Sequence, residues 1–147
     1  MMIRFSKSFM LPVETVFDYF ASPDGWVRLY GFGGAAHALG DGWYEVPLKR
    51  FPFPLVARVV SRDENTRVSW IYRGFWRGEG EAHFVQRNGT THCSGMEILS
   101  IRWLFIASRI VERLFLEQRF RAIWELGWRR LRTLEAQHGP TALGARK

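Results

Sequence analysis

Three charged residues near the C-terminus follow one another at intervals of four: Arg113, Glu117 and Arg121. On a helix this spacing stacks the side chains in one row, and their angular positions put the row inside an apolar face. A charged row there must be paired, solvated or used to bind a ligand. Arg113 could hold a ligand carboxylate, phenolate or phosphate while Glu117 orients it. The alternative is a surface salt-bridge row.

Other groups capable of catalysis are few. His92 and Cys93 are neighbours in a predicted strand and point to opposite faces, which excludes a nucleophile and base pair and favours Cys93 as a small core residue. Glu97 and His83 are the acid or base candidates on strands, and alternation turns His83 outward. The histidines lack HxxxH or HExxH spacing, so we predict no metal site; they are His37, His83, His92 and His138.

The charged row belongs to a predicted helix over residues 105–138. Its apolar face consists of Ile106, Ile110, Leu114, Phe120, Trp124, Trp128, Leu131 and Leu134. At 1.5 Å per residue such a helix spans about 50 Å. Only two short helices are predicted elsewhere, so a sheet must cover this face. Residues 139–147 are predicted to be a flexible tail.

The rest of the chain reads as one strand, two short helices and five further strands. Alternation predicts strands at residues 3–9, 43–49, 55–62, 68–72, 76–87 and 90–102. Pro12 opens the first short helix and the sequence Ser22-Pro23-Asp24 opens the second. Turns at residues 63–65 and at Asn88-Gly89 predict antiparallel pairing. We therefore predict a single α+β domain over residues 1–147, with about six strands wrapped around the C-terminal helix.

The glycine-rich segment GFGGAAHALGDG, residues 31–42, superficially resembles a dinucleotide fingerprint. That motif must lie between a strand and a helix, whereas this segment follows a helix and precedes a strand. We interpret it as a flexible connection and predict no cofactor.

Composition narrows the class of protein. The chain is 47% hydrophobic and 16% aromatic, which favours a packed domain with aromatic side chains to spare for a cavity. The absence of a long apolar run or a signal-peptide pattern predicts a soluble, cytoplasmic protein. The net charge is +7, and most of the basic residues are arginines. Docking to an anionic membrane is therefore an alternative function. Because no nucleic-acid-binding motif accompanies the charge, nucleic acid is disfavoured as a partner.

The order of elements, with the opening IRFSKSFMLPVETVFDYFASPDGW, resembles the SRPBCC superfamily, also called START or Bet v 1-like, which includes polyketide cyclase and lipid-transfer branches. Pro12, Trp26 and Trp70 carry the resemblance together with the terminal helix. It implies a helix-grip fold, in which a curved sheet holds the C-terminal helix and leaves an apolar cavity. It implies no shared catalytic residues, since this superfamily hosts many functions.

The leading functional prediction is binding or transport of a hydrophobic aromatic, polyketide-like or lipid molecule. The predicted ligand-binding residues are Tyr30, Trp70, Trp76, Phe84, Met96, Arg113, Glu117, Phe120 and Trp124. Gly78 and Gly80 leave room on their strand, which either Trp124 or Trp128 fills or a ligand occupies. The placement of Met96 assumes a bulge at Gly95. The alternative is an enzyme resembling polyketide cyclases that uses Glu97 or Glu117. Ligand identity, catalysis and oligomeric state stay open.

Overall fold

A computed structural model describes residues 1–30, 34–48, 53–101 and 117–144 of the chain. Within these ranges the strands are β1 (Met2–Phe9), β2 (His37–Gly40), β3 (Trp43–Val46), β4 (Leu55–Asp63), β5 (Arg67–Arg73), β6 (Trp76–Arg87) and β7 (Thr90–Ile101). The helices are α1 (Val13–Phe20), α2 (Pro23–Tyr30) and α3 (Glu117–Gly144).

The strands form one antiparallel sheet in the order β1-β7-β6-β5-β4-β3-β2. The chain runs through neighbouring strands from β2 to β7, and β1 then pairs with β7. This arrangement confirms the predicted α+β helix-grip fold. The turns at residues 63–65 and 88–89 are also confirmed, since Asn65, Asn88 and Gly89 have the positive φ angles that tight turns require.

The sheet has seven strands rather than the predicted six. The additional strand, β2, lies in the glycine-rich segment that the sequence analysis interpreted as a flexible connection. Asp41 and Gly42 have φ angles of 53° and 77°, the geometry of a two-residue hairpin turn. The Asp-Gly pair is therefore the sequence signal for a hairpin between β2 and β3. The prediction missed this hairpin because the neighbouring residues are mostly small and show no strand alternation.

The inner face of the sheet is set by simple alternation in β1 and β7. In β7, Cys93, Glu97 and Leu99 are buried, whereas Met96 and Ile98 between and beside them are partly exposed. The register of β7 with β1 and β6 is continuous, so the predicted bulge at Gly95 is wrong. The described irregularities in register lie instead in β4, between residues 59 and 61, and at the end of β2.

The long helix α3 buries the face that the sequence predicted. The predicted residues Phe120, Trp124, Trp128 and Leu131 are buried, as is Ile123, and Leu134 is half-buried. The predicted residues 106, 110 and 114 lie outside the described ranges. The helix continues to Gly144, so the predicted end at residue 138 is too early.

Aromatic rings join α3 to the sheet and to α1. The ring of Trp124 stacks on Phe5 of β1 at 4.6 Å and on Trp128 at 5.3 Å, and Phe20 of α1 lies 6.1 Å away. Such contacts stabilise the fold by burying large apolar area and through ring geometry. No helix in the described ranges is long and apolar enough to cross a membrane.

Candidate ligand-binding site

A small cavity lies between the inner face of the sheet and helices α2 and α3. Its volume is about 20 Å³, which is room for about one water molecule. The lining residues are Phe20, Trp26, Tyr30, Val46, Leu48, Leu55, Trp70, Tyr72, Glu97, Phe120, Ile123 and Trp124. Seven of these twelve are aromatic and Glu97 alone is charged, so the cavity is an apolar chamber with one acidic group.

Glu97 is 4% exposed and is held from two sides. The Trp124 indole N–H donates to its Oε2 at 2.8 Å, and the Tyr72 hydroxyl donates to its Oε1. None of the ion pairs among the described residues involves this carboxylate. Burial raises the pKa of Glu97 above its ordinary value, and the hydrogen bonds from Tyr72 and Trp124 oppose that rise only in part.

Trp70 lies beside this carboxylate because β6 has no side chain at residue 80. Gly80 pairs with Trp70 on one side and with Glu97 on the other. A Cβ atom at residue 80 would lie 2.6 Å from the Trp70 indole, so the ring occupies the space above the glycine. The prediction that Gly80 makes room is thus confirmed, but Trp70 fills that room rather than Trp124 or Trp128.

The indole nitrogen of Trp70 is buried and has no hydrogen-bond partner. As a weak hydrogen-bond donor this N–H also lowers the pKa of Glu97, so it lies near the acid, although its geometry is not that of a hydrogen bond. A buried donor without a partner costs about 1–3 kcal/mol. The cavity therefore contains one unsatisfied donor beside a carboxylate with spare acceptor capacity.

Two tyrosines complete the polar part of the cavity. Removal from water, followed by the charge of Glu97, raises the pKa of both Tyr30 and Tyr72 well above the ordinary value. Both phenols are therefore neutral at physiological pH. Each is only half-buried, so the cavity approaches the surface where these two residues lie.

The structure brings together only some of the predicted site residues. Tyr30, Trp70, Phe120 and Trp124 line the cavity. Trp76 and Phe84 are buried elsewhere: the Trp76 ring packs edge-on against Phe120 at 5.1 Å, and Phe84 packs against Phe17 and Phe20 of α1.

Met96 does not line the cavity. It lies on the opposite face of the sheet in a groove of about 290 Å³ with Ile71 and Ile98, because the regular register of β7 turns it away from Glu97. Glu117 pairs with Arg121 at 2.7 Å on the surface of α3. This is the surface salt bridge that was the alternative to a ligand-binding role. Arg113 lies outside the described residues.

Sequence reasoning missed Tyr72 as a cavity residue and weighed Glu97 only for the enzymatic alternative. Tyr72 is two residues after Trp70 on the same strand and therefore shares its face, so alternation could have found it. Phe20 and Trp26 were not predicted to line the cavity. Their joint position depends on how α1 and α2 pack on the sheet, which no local pattern specifies.

Other reactive groups in the described part of the chain are not assembled into sites. No group of three or more metal-ligating side chains occurs there. Burial raises the pKa of the Cys93 thiol, so this residue is an unreactive core side chain. His83 faces outward and lies 3.3 Å from Glu81, which also pairs with Arg67 at 2.9 Å.

No family model matches the sequence, and no curated protein matches it either. Solved structures, in contrast, resemble the fold closely. A conserved protein from Geobacillus kaustophilus superposes with a TM-score of 0.73 at 11% identity, covering 93% of this chain and 96% of its own.

Two further solved structures have more informative descriptions. A START superfamily protein from Mycobacterium smegmatis matches with a TM-score of 0.64 at 12% identity, over 90% of this chain and 98% of that one. The solution structure of the Aha1 dimer from Colwellia psychrerythraea matches with a TM-score of 0.63 at 11% identity, over 92% and 93% respectively. The chain therefore has the START-like fold that the sequence resemblance implied, and at these identities the likeness concerns the fold alone.

Proposed function

We propose that this START-like domain binds a small hydrophobic molecule in the chamber between the sheet and α3. One observation carries the proposal: a buried carboxylate, Glu97, and an unpartnered indole N–H, Trp70, both meet an aromatic chamber. A packed core gains nothing from a buried acid without an ionic partner, whereas a binding chamber uses a few polar groups to orient an apolar ligand.

The chamber must widen to admit a ligand. Its present volume of about 20 Å³ is well below the roughly 300 Å³ of a typical small-molecule site. Tyr30 and Tyr72 are the half-buried members of the lining, so a ligand would reach the chamber beside them with the least displacement of buried side chains. Ligand entry beside these residues would exchange the contacts that close the chamber for contacts with the ligand.

The direct test is a fluorescence titration with N-phenyl-1-naphthylamine, a neutral hydrophobic probe. Saturable binding at one site per chain is expected. Ile123→Phe fills the chamber from α3 and should weaken binding by at least about tenfold. Leu126→Phe is the matched control, because residue 126 is 50% exposed on the same helix, and it should leave the affinity unchanged.

A second chamber variant guards against misfolding of the first. Val46→Leu adds one methylene from the sheet side, where Val46 is 1% exposed, and circular dichroism checks that each variant is folded. If folded Ile123→Phe and Val46→Leu proteins bind the probe as well as the wild type does, the chamber is not the binding site. Absence of saturable binding in the wild type would equally refute the proposal.

A second function, proton transfer by Glu97, is supported by the contact of this acid with Tyr72 and by its raised pKa. A general acid or base works best when its pKa lies near the working pH. Such a site could assist enolisation of a polyketide-like substrate. Deuterium exchange at C2 of ethyl benzoylacetate in D₂O should then exceed the buffer rate, and Glu97→Gln should abolish the excess. If the wild type does not exchange deuterium faster than the buffer, proton transfer by Glu97 is refuted and ligand binding remains the proposed function.

A further inference from the structure

The charge of the chamber indicates which hydrophobic molecules it prefers. Each carboxylate oxygen of Glu97 accepts one hydrogen bond, from Tyr72 and from Trp124. A carboxylate offers about four acceptor positions, so about half of this capacity is unused. In the part of the chain that the structure describes, no arginine, lysine or histidine pairs with this acid. A ligand can therefore supply the missing positive charge.

The aromatic lining favours the same kind of ligand. The ring faces of tryptophan and tyrosine carry negative potential and attract cations within about 6 Å. Five such residues line the chamber: Trp26, Tyr30, Trp70, Tyr72 and Trp124. Two edge-on contacts join four of them, 5.6 Å between Trp26 and Trp70 and 5.6 Å between Tyr30 and Trp124. The rings therefore already surround the acid, and only Tyr30 and Tyr72 need to shift as a ligand enters.

An anionic ligand would meet a less favourable environment. Its charge would lie beside Glu97, and like charges in a site of low dielectric repel each other strongly when that acid is ionised. The described lining contains no cationic side chain to offset that repulsion. The indole N–H of Trp70 is the unsatisfied donor of the lining, and it could bond a single neutral acceptor or a water molecule. These considerations rank a cation above a neutral molecule and a neutral molecule above an anion.

We infer that the chamber selects hydrophobic amines, with the ligand ammonium group on Glu97 and its apolar body among the surrounding rings. This inference rests on the proposed function and adds the chemical class of the ligand. Glu97 would act as the specificity residue, since a neutral analogue gains the same apolar burial but lacks the ion pair.

Three probes with one ring system test the selection: 1-naphthylmethylamine, 1-naphthylmethanol and 1-naphthoate. At pH 7 the first is cationic, the second neutral and the third anionic. Isothermal titration calorimetry should rank their affinities in that order, with the amine at least about tenfold tighter than the alcohol. Glu97→Gln should lower the affinity for the amine by about tenfold or more and the affinity for the alcohol by less than about threefold.

Glu117→Gln is the matched control, because it removes a surface carboxylate from α3 and should leave all three affinities unchanged. Equal affinities for the three probes, unaltered by Glu97→Gln, would overturn amine selection while hydrophobic binding stands. Tightest binding of 1-naphthoate would also overturn it and would favour the sequence-based assignment of an anion to Arg113. If none of the three probes binds and N-phenyl-1-naphthylamine does not bind either, both the proposed function and this inference are refuted.

Discussion

The indole of Trp70 lies directly above Gly80 of the neighbouring strand, where a Cβ atom would come within 2.6 Å of the ring. Residue 80 pairs with Trp70 in β5 and with Glu97 in β7. The glycine thus allows one aromatic side chain to extend across a strand toward an acid on the next. The polar part of the chamber depends on this relationship.

Gly80→Ala should destabilise the protein by about 1–3 kcal/mol, because the new methyl group must displace the Trp70 ring. The free energy of unfolding from urea titrations measures the loss. In a Trp70→Val background the obstructing ring is absent, so the same substitution should cost much less. Equal costs in the two backgrounds would mean that Trp70 is not the group that the methyl meets.

Glu97→Gln should change how stability depends on pH. Burial raises the pKa of Glu97 in the folded protein above its ordinary value of 4.5, so the folded state holds the proton more tightly than the unfolded state. The stability contributed by the neutral acid is therefore complete below pH 4.5 and is lost as the pH rises through the folded pKa. The stability of the wild type relative to Glu97→Gln should fall across that window and then level off.

Urea titrations of both proteins at several pH values check this expectation. The phenols and the thiol nearest Glu97 stay neutral throughout, since the pKa values of Tyr30, Tyr72 and Cys93 are all raised. A relative stability that increases over the same range would show that the carboxylate is favoured in the folded state, which contradicts the expectation.

Thr91→Val should cost about 1–3 kcal/mol of folding free energy. The Thr91 hydroxyl is fully buried and donates to the Leu11 carbonyl at 2.7 Å, and valine leaves that acceptor without a partner. Thr66→Val is the matched control, because Thr66 makes the same type of bond to Glu64 at an exposed position where water can replace it. Thermal or urea unfolding should show the larger loss at residue 91.

Glu117→Gln should change the free energy of unfolding by less than about 0.5 kcal/mol. The Glu117 and Arg121 side chains are 28% and 54% exposed, so solvent screens their attraction. Binding of the neutral naphthyl probes should also be unaffected. A large loss of affinity would restore the sequence-based assignment of Glu117 to the ligand site.

Much of the fold could be predicted from the sequence because its signals are local. Alternation located the inner face of β1, and the helical spacing of Phe120, Trp124 and Leu131 located the buried face of α3. The Asn88-Gly89 turn likewise needs only two residues. These patterns depend on the geometry of one element at a time.

The site was less accessible because β7 has apolar residues on both faces. Alternation within that strand alone could not decide whether Met96 or Glu97 points inward. The continuous register with β1 and β6 decides it, since a shift of one residue would turn every side chain of the strand over. The sequence therefore suggested an aromatic chamber but assigned Met96 to its lining, whereas Glu97 lines it.

The sequence by itself determined most of the strands, the two short helices and the long amphipathic C-terminal helix, because hydrophobic periodicity and turn residues act over short distances. Only the tertiary structure decided that Tyr72, Glu97 and Trp124 meet. These residues come from β5, β7 and α3, so their distances depend on strand register and helix packing. Such long-range relationships have no signature in any single stretch of sequence.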